Sequence, residues 1–89
     1  MTTAKRWSVD IFISEHDRET RAEARLRTRD ATEVRGIGIA HRNPHDLDVP
    51  EVGDELAVAR ALGDLSRHLL SEAIGDIEAL AMEQAHDGS

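Results

Sequence analysis

Hydrophobic and polar residues alternate through the first part of the chain and then change to a helical period. Across residues 6–13, Trp7, Val9, Ile11 and Ile13 fall on one side, while Ser8, Asp10 and Phe12 fall on the other. A period of two, carried by β-branched and aromatic residues, predicts a strand. Residues 14–19 are polar and charged and predict a connecting loop. Residues 20–29 alternate again, with Ala22, Ala24, Leu26 and Thr28 opposite Arg21, Glu23, Arg25, Arg27 and Arg29. That is the signature of a half-buried strand with a charged outer face. Its core side is mostly alanine, so whatever packs there must approach closely.

A short turn at residues 30–32 leads into a third predicted strand at 34–42. Ile37 and Ile39 share one face with Arg35 and His41; Gly36, Gly38 and Ala40 share the other with Val34. Glycine inside a strand weakens it unless another backbone packs against it or the strand bulges. Both faces have apolar character, so the pattern leaves open which one meets the core. Residues 43–53 hold two prolines and three acids and predict a crossover loop. A helix is then expected from about Asp54 and Glu55, two acids suited to the positive end of a helix dipole. Leu56, Ala59, Leu62, Leu65, Leu69 and Ala73 recur at helical spacing, widened by Val58 and Ile74. Gly75 either ends this helix, with Asp76 capping a short C-terminal one, or is passed through. The expected ordered core is residues 6–83 of a single domain, 1–89, with a loose tail at 84–89.

The predicted order of three strands and a helix gives an α+β domain. A three-stranded antiparallel sheet would be covered by one long helix, because an apolar sheet face must be buried against another element. Length sharpens this reading. A chain of 89 residues buries only roughly 60–65% of its unfolded surface. It has no cysteine, so no disulfide or thiolate metal site can compensate. Homodimerisation is therefore expected, with Phe12, Ile37 and Ile39 as candidate packing residues. No apolar run reaches the ~18 residues of a membrane span, and no signal-peptide core follows Lys5 and Arg6, so a soluble cytoplasmic protein is expected.

The net charge of −7 argues against non-specific polyanion binding, yet it is unevenly spread. Nine Lys and Arg meet seven Asp and Glu through Arg42, a balance of +2; two meet eleven thereafter, a balance of −9. The row Arg21, Arg25, Arg27 and Arg29 has a spacing of ~6.8 Å per two strand residues, close to that of successive phosphates. With Lys5 and Arg6 it is a candidate RNA-backbone contact. It is set against the plainer expectation of cross-strand ion pairs, for example to Asp10. The acids of the helix are the alternative, a face for a basic protein partner. No catalytic residue, metal site or cofactor is expected. His16, His41, His45, His68 and His86 show no metal-ligand spacing, the Gly36-Ile-Gly-Ile-Ala stretch lacks a third glycine before a helix, and no Gly-x-Ser-x-Gly motif occurs.

Several stretches resemble a family of small actinobacterial proteins of unknown function. They are Trp7-Ser-Val-Asp-Ile, Thr20-Arg-Ala-Glu-Ala-Arg-Leu-Arg, Gly36-Ile-Gly-Ile-Ala, Asn43-Pro and the long segment beginning Val49-Pro-Glu-Val-Gly-Asp-Glu-Leu, the most specific of them. The resemblance covers roughly residues 7–79. It implies a fold similar to the double-stranded-RNA-binding domain, dimerisation, and an association with dormancy or hypoxic stress. A likeness to ribosome hibernation factors implies action on the ribosome, and no catalytic residues come with it. The function expected on this basis is a non-enzymatic stress protein that binds the ribosome or structured RNA through its arginine row.

Overall fold

Three strands and a long helix account for most of the described residues. The computed structural model describes residues 3–28, 33–41 and 50–87. Strands β1 (Ser8–His16), β2 (Glu19–Arg27) and β3 (Val34–His41) form an antiparallel sheet in the order β1-β2-β3, followed by helix α1 (Pro50–Asp87). This is the expected α+β architecture.

Local differences from the sequence pattern have physical causes. β1 continues through Ser14–His16, so the connection shrinks to the two residues Asp17 and Arg18. Asp17 takes a φ of 54°, in the left-handed region that Asp tolerates better than most residues. The helix begins at Pro50, a turn earlier than expected, because proline suits the first helical position, where no N–H partner is needed. Glu51 supplies the first-turn acid. The helix also runs through Gly75 to Asp87, so a separate C-terminal helix does not form. A glycine in a helix costs only about 1 kcal/mol relative to alanine, and Gly75 has open space around it.

The core lies between α1 and the β2–β3 half of the sheet. Ala22, Ala24 and Leu26 of β2 and Val34 and Ala40 of β3 are buried against Ala57, Ala61 and Leu65, with Val58 and Leu69 at the margin. Gly36 and Gly38 belong to the same face, which settles the side of β3 that meets the core. A Cβ on Gly36 would overlap the Ala61 carbonyl, and one on Gly38 the Ala57 carbonyl. The helix backbone thus rests directly on the strand backbone. That contact selects the small residues Ala57 and Ala61 for the sheet side. Leu56, Ala59 and Leu62, expected on that side, are exposed instead.

The same placement leaves β1 out. Register pairs Val9 with Leu26, Ile11 with Ala24 and Ile13 with Ala22, so these β1 residues share the helix-side face of the sheet. The helix lies over β2 and β3 and barely reaches β1. All three residues remain at least 36% exposed. Helix and sheet also differ in length. Thirty-eight helical residues span about 57 Å and a nine-residue strand about 30 Å, so the helix overshoots the sheet. Every residue from Leu70 to Gln84 is exposed.

Gly38→Ala should therefore lower stability by about 1–3 kcal/mol through overpacking. Gly75→Ala should raise it by about 0.5–1 kcal/mol, since its site is open. Urea unfolding of both variants checks the pair; a neutral Gly38→Ala would rule out the backbone contact.

Candidate functional site

The open face of the sheet carries the arginine row. Arg21, Arg25 and Arg27 stand on β2, and Arg29 lies outside the described residues. Their neighbours are acids placed by the register. Asp10 lies opposite Arg25, and Glu23 lies between Arg21 and Arg25 on the same strand face. Arg27 Nε donates to Asp10 Oδ2 at 2.7 Å, and Arg25 Nε to Glu23 Oε1 at 2.6 Å. Glu33 lies 3.8 Å from Arg25 and 3.2 Å from Arg35. Arg35 is itself 3.8 Å from Glu23. The Arg25 guanidinium also sits 4.5 Å above the Phe12 ring, a cation–π distance.

These contacts hold Glu23 below the ordinary carboxylate range. The hydrogen bond from Arg25 is the main cause, followed by the positive fields of Arg25, Arg35 and Arg21. Glu23 in turn raises the Arg25 guanidinium. Three arginines on this face (Arg25, Arg27 and Arg35) are thus paired with Asp10, Glu23 and Glu33. Two members of the row, Arg25 and Arg27, are neutralised locally. Among the described residues no ion pair involves Arg21, Lys5 or Arg6, and all three are exposed. Phe12, Ile37 and Ile39, the candidate packing residues, lie on this open face at 47, 42 and 38% exposure, so none belongs to the core. A shallow recess of about 100 Å³ beside Phe12, Ser14, Arg21 and Glu23 is smaller than the ~300 Å³ of typical ligand pockets. Among the described residues no cluster of His, Asp and Glu could hold a metal ion. No described helix is long and apolar enough to cross a membrane.

A second polar constellation was not evident from sequence. The outer edge of β3 is lined by side chains of α1 spaced one turn apart. Arg60 donates to the Ile39 carbonyl at 2.7 Å, the Ile37 N–H donates to Asp64 Oδ2 at 2.8 Å, and His68 Nδ1 lies 2.7 Å from the Arg35 carbonyl. The last contact requires the tautomer with a proton on Nδ1. Eight helical residues advance about 12 Å and four strand residues about 13 Å, so the two ladders stay in step. The three side chains take the place of a fourth strand and close an edge that would otherwise be open to pairing. Spacing of hydrogen-bonding side chains at i, i+4 and i+8 was the one available signal.

Asp64 is the centre of this clamp. The Ile37 N–H is the largest cause holding its carboxyl below the ordinary 3.8, with His68 and Arg67 nearby adding to the effect. A folded-state value below the unfolded one favours folding when the group is ionised. The contribution is complete above the unfolded value and is lost as pH falls through the lowered folded value. Asp64→Asn should therefore flatten part of the fall in the urea midpoint from about pH 5 down to about pH 2, leaving the share due to Glu23. Identical pH profiles for variant and parent would rule out the role assigned to Asp64.

Comparison with known proteins agrees with the fold and fixes the family. The chain is 53% identical over 79 residues to the uncharacterized protein Mb1767 of Mycobacterium bovis, covering 89% of this chain and 83% of that one. It is 47% identical over 75 residues to the uncharacterized protein Rv2632c of Mycobacterium tuberculosis, covering 84 and 80%. The crystal structure of Rv2632c superposes with a TM-score of 0.79 and 44% identity, over 88% of this chain and 92% of that one. A family model described as Rv2632c-like matches residues 5–86, so the chain belongs to the Rv2632c-like family.

Proposed function

We propose that this protein is a non-enzymatic protein-association module. Its working surface is the apolar face made by the helix-side residues of β1 and the overshooting half of α1. The observation that carries this reading is exposure without a local partner. Val9, Ile11 and Ile13 face the helix side of the sheet, yet no helix covers them. Leu70, Ile74, Ile77 and Leu80 are 48–66% exposed on one helix beyond the sheet. Soluble monomers rarely expose contiguous apolar patches beyond a few hundred Å². Glu72, Asp76, Glu78 and Glu83 border the helical part, and no Lys or Arg follows Arg67. The partner best suited to this surface is apolar at its centre and basic at its rim.

Ribosome or structured-RNA binding in stress or dormancy is the second reading. It draws on the family resemblance and on the exposed Lys5, Arg6 and Arg21. It is weakened because Arg25 and Arg27 are already engaged by Glu23 and Asp10, and a phosphate would have to displace them.

Tagged protein should capture protein from nuclease-treated lysate, with capture lost in Ile74→Glu/Ile77→Glu. Co-sedimentation with ribosomes at low salt, abolished at high salt and in Arg25→Ala/Arg27→Ala, would instead establish the RNA reading.

A further inference from the structure

We propose that the open face of the sheet holds a capture site for the C-terminal residue of a partner protein. Arg21 and Ser14 take its free carboxylate, and the recess beside Phe12 takes its apolar side chain. The site lies on the opposite side of the sheet from the association surface described above. It goes beyond that reading and does not depend on it.

Register divides the open face into two halves. Toward the start of β1 the described arginines are committed: Arg27 to Asp10 at 2.7 Å, Arg25 to Glu23 at 2.6 Å and Arg35 to Glu33 at 3.2 Å. Toward the β1–β2 turn the composition changes. Arg21 stands between Ser14 on β1 and Ile39 on β3, and Phe12 and Ile37 stand either side of Glu23 in the next row. Arg21 is exposed and, among the described residues, forms no ion pair. The acids flanking it on β2 are Glu19 and Glu23, each about 6.8 Å along the strand. Glu23 is drawn the other way, by Arg25 at 2.6 Å and Arg35 at 3.8 Å. Glu19 takes its place between His16 and His41 at the end of the sheet. Among the described residues, Arg21 is therefore the arginine of this face left to a ligand.

The recess of about 100 Å³ opens beside this guanidinium, with Phe12, Ser14, Arg21 and Glu23 in its lining. Ser14 and Arg21 are direct cross-strand partners, which sets their Cβ atoms about 5 Å apart. A hydroxyl and a planar guanidinium at that separation can donate to the two oxygens of one carboxylate. Apolar surface adjoins them, since Phe12, Ile37 and Ile39 are 38–47% exposed.

Charge and spacing select the occupant. The volume suits one side chain and is too small for a whole metabolite. A nucleic acid needs a run of uncommitted cations, and Arg25 and Arg27 are engaged. An Asp or Glu within an extended partner segment has its same-face apolar neighbour about 6.8 Å away. In a C-terminal residue the carboxylate and the side chain branch from one Cα. Both can then enter a site whose cation also lines the recess.

Titration of isotope-labelled protein with acetyl-Gly-Leu, which ends in a free carboxylate, tests the site through its amide shifts. Saturable shifts are expected at Phe12, Ser14 and Arg21, with a Kd of about 1 mM, in the range of one charge-assisted pair and one apolar side chain. The same peptide with an amidated terminus should bind about tenfold more weakly, and so should free-carboxylate peptide to Arg21→Gln. Ser14→Ala should weaken binding about threefold. Arg18→Gln removes the same charge from the adjacent turn and should match the parent. All three substituted positions are exposed, so the circular dichroism spectrum should not change. No saturable shift, equal binding of the amidated peptide, or binding that survives Arg21→Gln would overturn the inference. Equal binding of acetyl-Leu-Glu amide, whose carboxylate is on a side chain, would do the same. A uridine oligonucleotide that displaces the peptide at lower concentration would overturn it by assigning the face to nucleic acid. None of these results bears on capture through Ile74 and Ile77, so the helix-side reading stands or falls separately.

Discussion

The contact between Gly36 and Gly38 and the helix backbone at Ala57 and Ala61 sets the position of everything else. Two glycines on one strand face let a helix settle with its carbonyls against the strand. Nothing larger fits over the glycines, so the helix turns Ala57 and Ala61 inward there, and Leu56 and Leu62 outward. Close approach over β2 and β3 also fixes the lateral position of the helix, and β1 is left uncovered. The resulting core is made of small residues. Among the described residues, no large side chain is fully buried. A domain of this size with so modest a core has reason to recruit apolar surface from elsewhere.

The two edges of the sheet are treated differently. β3 is sealed by Arg60, Asp64 and His68, whose spacing along the helix matches the spacing of its free backbone groups. This seal depends on the helix lying close, and so on the same glycines. Among the described residues β1 has no such cover, and it carries the apolar row. The open face of the sheet pairs Arg25 with Glu23 along β2 and Arg27 with Asp10 across to β1. Exposed ion pairs of this kind contribute little to stability, about 0–1 kcal/mol each. Their main effect is on recognition, because they lower the field that a row of arginines would otherwise present.

Much of the fold could be read in the sequence because strand periodicity was strong. Alternation through Trp7–Val9–Ile11–Ile13 and Ala22–Ala24–Leu26 placed two strands and their faces. The acid at Asp10 suggested the ion pair that Arg27 makes. The face of β3 could not be decided, because isoleucines on one side and glycines on the other both count as apolar. Only the helix backbone distinguishes them. The sheet-facing stripe of α1 was misplaced for the same reason: Leu56 and Leu62 outrank Ala57 and Ala61 on hydrophobicity, while the glycines demand the smaller pair. Gly75 left open whether the helix ends or continues, because glycine often ends helices; it sits in an exposed stretch and the helix passes through it. The clamp on β3 was invisible because each of its side chains is unremarkable alone and gains its role from one long-range alignment.

Nuclear Overhauser contacts from the α-protons of Gly36 and Gly38 test the central contact most directly. The account predicts strong contacts to the backbone and methyl protons of Ala57 and Ala61. Contacts to the side chains of Leu56 and Leu62 in their place would show a helix rotated outward from the glycines and would contradict it.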